Sequence, residues 1–272
     1  MRILISLLCL LPLSALANVT VVTSIQPLHQ MTSSIMQGIG KPALIIEQQA
    51  SMHHFAFKPS QFSLIEQADL IIWISRDFES GFHRLPDILS KKTKSLELLD
   101  ALELNHQDGH IWYSPVLLPR IASQIVQALS EVDGANAATY RRNAERLINS
   151  IKTWETAVRA SIARAKPLYL LDHNFLSHFE QDMGIKATAA LHNSHDQPVG
   201  ILELRQIESD LRKSPVKCLL TNEPEPSKLA RNLAVKFGLE IHNIMQPGDD
   251  EAQQPGLTGN LNRLRSIMQQ CH

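Results

Sequence analysis

Three histidines occupy positions of one kind. His53 lies in SMHHFAFKPS (51–60), between an apolar run and a helix start at Ser60; His110 lies in QDGHIWYSP (107–115), just before Ser114-Pro115; His173 follows the apolar run PLYLLD (167–172). Side chains at the carboxyl ends of strands, ahead of helices, are where α/β proteins gather ligand-binding groups. Neutral imidazole offers a nitrogen lone pair. Three imidazoles meeting at one point suit Zn2+, at nitrogen distances of about 2.0–2.1 Å. They suit Mn2+, which prefers oxygen, less well. The chain carries 12 histidines; most surface histidines are bland, and the excess only adds weight to metal or proton chemistry.

Several other groups could join such a site. His192 and His195, in ALHNSHDQP, fall on a loop that can border a cleft, as an auxiliary metal contact or a solvated loop. Glu79 follows the run DLIIWIS and can hydrogen-bond a ligand histidine from behind. Glu223, at the end of CLLTNE, reads as cleft structure, and Trp73 and Trp112 as packing. His29, His83, His178 and His242 fit helix surfaces or strand packing.

The elements that must position these residues alternate regularly. Apolar strands are expected at 19–25, 42–47, 69–75 and 95–100, and again at 167–172, 186–191, 216–221 and 239–244. Helices fall between them, near 27–37, 60–67 and 78–90, then near 175–183, 201–213, 227–237 and 258–270. Ser60 is expected to cap the second of these helices and Asn174 the fourth. Short continuous apolar strands alternating with helices argue for parallel sheets covered on both faces. Between the two sets the chain turns helical. Ser114-Pro115 starts a helix to about 132, broken at Asp133-Gly134. Tyr140, Ala144, Leu147, Ile151, Trp154, Val158 and Ile162 then form one apolar stripe on a helix spanning 134–166. The fold class is therefore α/β, with two lobes, each a mostly parallel sheet flanked by helices, joined by one long rigid helix. The expected organisation is a leader at 1–17, a first lobe at 18–133, the linking helix at 134–166 and a second lobe at 167–272.

The first residues, MRILISLLCLLPLSALA, carry one Arg, a short apolar stretch and the cleavage pattern Ala15-Leu16-Ala17. They read as a cleavable signal peptide, with the mature chain starting near Asn18. Cys9 follows Leu8, which is not small, so no lipoprotein site is expected. Cleavage leaves Cys218 and Cys271, and two cysteines in an exported chain read as one disulfide. Without Arg2 the chain has 25 basic and 27 acidic residues, a balance that points away from nucleic acid.

The segments MHHFAFKPS with ADLIIW downstream, GHIWYSP, LLDHNFLSHF and CLLTNEPEP, in that order, resemble the solute-binding proteins of zinc and manganese ABC importers (cluster A-I type). The resemblance covers essentially the whole mature chain. It implies a periplasmic, monomeric receptor, not an enzyme, that carries Zn2+ as cargo to a membrane permease and its ATPase. It implies His53, rather than His54, as first ligand, with His110 and His173 as the second and third. His173 stands where manganese-type members place Glu, which favours zinc. The Cys218–Cys271 pairing also fits zinc-type members. The fourth ligand departs from the pattern: in IMQPGDD, Gln246 stands at the family's Asp position, so Asp249, Asp250, Gln246, Glu79 or a water competes for it. The loop LNHQDG is too short for the His-rich collecting loop of many zinc-type members.

Three other readings use the same residues. One is a zinc hydrolase with an open three-His site, which HExxH would support and which the chain lacks. Another is a receptor of the same fold for Mn2+, another metal, or a larger chelate. The third is an adhesin-like or metal-chaperone role.

Overall fold

The computed structural model describes residues 19–47, 55, 57–104, 108–194, 197–245 and 256–272. The expected leader, His53, His54, His195, Gln246, Asp249 and Asp250 lie outside them.

The first lobe is a sheet of four parallel strands, β1 (Val21–Thr23), β2 (Ala43–Leu44), β3 (Leu70–Trp73) and β4 (Lys94–Glu97), in the order β2-β1-β3-β4. Its helices are α1 (Gln26–Ile35), α2 (Pro59–Glu66), α3 (Leu85–Ile88) and α4 (Leu98–Ala101). α5 (Leu117–Val132) and the 29-residue α6 (Ala137–Ala165) follow. The second lobe repeats the plan. β5 (Tyr169–Leu171), β6 (Ala189–Ala190), β7 (Cys218–Thr221) and β8 (Glu240–Asn243) are parallel, in the order β6-β5-β7-β8. α7 (Ser177–Met183), α8 (Ile201–Leu211), α9 (Lys228–Phe237) and α10 (Leu257–Gln270) complete it. Both sheets thus reverse strand order beside their first strand, where α/β sheets open a crevice at the strand ends.

The inner strands β1, β3, β5 and β7 are buried along their whole length, as strands covered on both faces are, and each is a brief, mostly apolar run. In β5, Tyr169 and Leu171 face the larger core cluster, whereas Leu170 between them faces a smaller one with Leu191, Leu219 and Leu233. That is the two-residue alternation of a strand. The larger cluster is continuous through both lobes. Val22 and Ile72 belong to it, as do Tyr140, Ile151 and Val158 of α6 and Leu264 and Met268 of α10.

α6 is about 44 Å long. Its start is pinned by Tyr140 Oη, which donates to Asp133 Oδ2 at 2.6 Å. Asn143 Nδ2 donates to the carbonyls of Ile35 (2.8 Å) and Gln37 (2.9 Å), closing the end of α1. Trp154 Nε1 donates to Leu261 O at 2.7 Å, tying α6 to α10. Lys166, at φ 47°, ends the helix in the left-handed region.

Three expectations are corrected. Ser60 does not cap α2: Pro59 already occupies its first turn, and Gln61 Oε1 accepts the Lys58 N–H at 2.7 Å. The helix near 78–90 is a 3-10 turn, Ser80–Arg84, followed by the single turn of α3. Asn174 does not cap α7, which starts at Ser177; its N–H donates instead to His192 O at 3.0 Å.

Candidate metal centre

His110 sits on the first lobe, at the entry to a 3-10 turn (Ile111–Tyr113). Ser114 follows this turn, and its Oγ accepts the Leu117 N–H at 2.9 Å, starting α5. His173 sits on the second lobe, two residues beyond β5. The fold brings them together: the two Nε2 atoms are 3.2 Å apart, and both residues are buried. Two nitrogens bound tetrahedrally to one Zn2+ at about 2.05 Å stand about 3.3 Å apart. The pair therefore already has the spacing of two ligands on one ion.

The His110 ring is oriented from behind. Its Nδ1–H donates to Asp108 Oδ1 at 2.6 Å, which leaves the lone pair on Nε2. Burial alone would raise the Asp108 carboxyl. The His110 ring beside it, with hydrogen bonds from His110 and Ser177, outweighs that and holds it well below the usual carboxylate range. Ser177 Oγ, on α7, donates to Asp108 Oδ2. His178 Nε2 donates to Asp108 O at 2.7 Å. Ser114 Oγ donates to Asp182 Oδ2, which also accepts the Val116 N–H at 3.3 Å. α7 is thus stitched to the His110 loop across the seam. Asp108, Ser177, His178 and Asp182 were not singled out by the sequence as site residues; the Asp-x-His spacing was the available signal for Asp108.

Aromatic rings close the back of the pair. Phe78 meets His110 edge-on at 4.8 Å, Trp112 lies 5.2 Å from the same ring, and Phe175 lies 5.2 Å from His173. A Cβ on Gly109 would come within 2.3 Å of the buried Phe78 ring, so only glycine lets the loop pass. His192 lies beside His173, where its Nδ1–H donates to Asp172 O at 2.8 Å.

Glu79 is fully buried, and its Oε2 accepts the N–H groups of Ile74 (2.7 Å) and Ser75 (3.3 Å). The carboxyl braces the turn at the end of β3. Burial pushes its pKa up to about 7, against the lowering effect of Ser24 and these two amides. A carboxyl raised from 4.5 to about 7 takes up a proton on folding. Its contribution is complete below about pH 4.5, is lost as pH rises, and is gone above about pH 7. Glu79→Gln, which does not titrate, is expected to remove roughly 3 kcal/mol of pH dependence from that window. Urea unfolding of both proteins from pH 4.5 to 8 measures it; parallel curves would refute it.

The family described as "ZnuA: Zinc-uptake complex component A periplasmic" matches residues 21–266. The chain belongs to this family. Its members are solute-binding receptors that work with ABC importers. A relative in the zinc-uptake family, "High-affinity zinc uptake system protein ZnuA" of Brucella abortus, is 25% identical over 265 residues, covering 78% of this chain and 79% of the relative. The protein of the same name from Bacillus subtilis is 23% identical over 260 residues, covering 87% and 82%. The solved structure of the laminin-binding protein Lmb of Streptococcus agalactiae, described as having adhesin and metal transporting activity, superposes with a TM-score of 0.78 at 20% identity. It covers 92% of this chain and 99% of that one. A point mutant of a Mn-bound periplasmic metal-binding protein from Candidatus Liberibacter asiaticus superposes at 0.75 with 16% identity, covering 92% and 99%. These superpositions establish the two-lobed α/β fold. Among the described residues no helix is long and apolar enough to cross a membrane.

Proposed function

We propose that this protein is a periplasmic zinc receptor that holds Zn2+ between its lobes through His53, His110 and His173 and delivers it to the permease and ATPase of an ABC importer. The observation that carries the reading is the 3.2 Å approach of two Nε2 atoms from opposite lobes, one with its lone pair directed by Asp108. Histidine at 173 supports zinc over manganese, because nitrogen donors favour zinc and oxygen donors manganese. Cleavage after Ala17 would release the chain as a soluble receptor, with the first lobe ending near 133 and the second starting near 167.

Native mass spectrometry of the mature chain tests this directly. One Zn2+ is expected to stay bound where an equal concentration of Mn2+ does not compete. Equal retention of both ions would reject zinc selectivity. Protons and zinc compete for imidazole nitrogen, so affinity is expected to fall as pH drops below about 6.5.

Asp108 acts through His110. Asp108→Asn keeps the shape but removes the charge that raises the ring's basicity. Zinc affinity is expected to fall about 10- to 100-fold, read by chelator competition, with Ser177→Ala showing a smaller loss. An unchanged affinity in Asp108→Asn would reject this positioning role.

A further inference from the structure

A second group of ligand-type side chains lies far along the chain from the histidine pair. β7 and β8 run parallel with Cys218 opposite Glu240 and Leu220 opposite His242. Paired residues, and residues two apart, share a face of the sheet. Cys218, Glu240 and His242 therefore share one face. Cys271, at the end of α10, reaches Cys218 and forms the disulfide. One ligand atom from each of Cys218, Cys271 and His242 lies within 4.8 Å of the others. Both cysteines are buried. His242 Nε2 is also buried and lacks a hydrogen-bonding partner. Glu240 Oε2 lies 3.6 Å from it, on a side chain exposed at the rim.

We propose that the dithiol form of this chain binds a thiophilic divalent cation such as Zn2+ through Cys218, Cys271 and His242, with the Glu240 carboxylate as fourth ligand. Disulfide and metal are then alternative occupants of one place. A dithiol reductant supplies two electrons and two protons to the sulfur–sulfur bond and becomes a disulfide itself. The two freed thiols pass their protons to solvent as they bind the ion as thiolates. Two thiolates on one Zn2+ at about 2.3 Å stand about 3.8 Å apart, a separation that two Cα atoms 5.5 Å apart permit by side-chain rotation alone. Two sulfurs and a nitrogen select zinc over manganese. The site shares no residue with the His110–His173 pair.

Cobalt separates the two sites, because thiolate-to-Co2+ charge transfer absorbs in the near ultraviolet and the histidine pair offers no sulfur. The full mature chain is reduced with a phosphine, which water converts to the phosphine oxide, and titrated with Co2+ without air. The band is expected in the reduced chain, saturating at one ion per band-forming site. It should be absent in the oxidised chain and in Cys218→Ser/Cys271→Ser, and its midpoint should shift at least about 10-fold in His242→Ala. A reduced chain with normal circular dichroism and two free thiols but no band overturns the proposal. So does a reduced chain that loses its fold, since the site needs α10 docked on β7. A midpoint unchanged in His242→Ala overturns the assigned ligand set. Loss of zinc binding at the histidine pair would leave every one of these readings intact.

Discussion

Replacing His110 or His173 with alanine is expected to weaken zinc binding by about 10²- to 10³-fold. Closed four-ligand zinc sites bind with about 10–16 kcal/mol, or roughly 3–4 kcal/mol for each ligand. Each 1.4 kcal/mol is about tenfold. The two variants differ in what they leave behind. His110→Ala strands the Asp108 carboxylate, which keeps Ser177 but loses the ring that lowers its pKa. It should therefore also cost stability. His173→Ala removes a ring packed on Phe175 and leaves the Asp108–His110 pair intact, so its stability loss should be smaller. Chelator-competition titrations give the affinities and urea midpoints give the stabilities. Binding within twofold of the parent in either variant would refute the site.

Removing the disulfide is expected to cost about 4 kcal/mol. Cys218 and Cys271 are 53 positions apart, and closing a loop of that size restricts the unfolded chain by about that amount in the chain-entropy model. The Cys218→Ser/Cys271→Ser double variant, unfolded in urea with a strong chelator present, should show that loss against the oxidised parent. A difference below about 1 kcal/mol would mean that the chain between these residues is already constrained when unfolded. Zinc added to the reduced parent should restore more stability than zinc added to the double variant, which keeps the histidine site but lacks both thiols.

The fold was legible because its signals are local. The run LIIW of β3 is uniformly apolar and CLLT of β7 is apolar up to Thr221; both are buried throughout, and only a strand buried on both faces needs such a run. The stripe from Tyr140 to Ile162 has helical spacing, and all seven of its residues are buried on α6. Element starts were less legible. Pro59, with its fixed φ, takes the first turn of α2 and displaces Ser60 from the cap.

Within the candidate site, the approach of His110 to His173 could be anticipated from the place of each just ahead of a helix in an α/β chain. The partners that aim them could not. Ser177 meets Asp108 across 69 positions and Asp182 meets Ser114 across 68. No spacing in one chain encodes such pairs; they follow from how α7 docks against the other lobe. His53, Gln246, Asp249 and Asp250 lie outside the described residues, so the rest of the ligand shell stays a proposal.

The last helix has a bearing on how the protein is made. Leu257, Leu261, Leu264, Ile267 and Met268 of α10 sit in the same apolar mass as Val22 and Ile72, near the opposite end of the chain. Asn260 also donates to Gln30 of α1 at 3.1 Å. A growing polypeptide cannot seal that mass until its final stretch is available. A nascent chain that still lacks α10 therefore leaves part of that mass facing water.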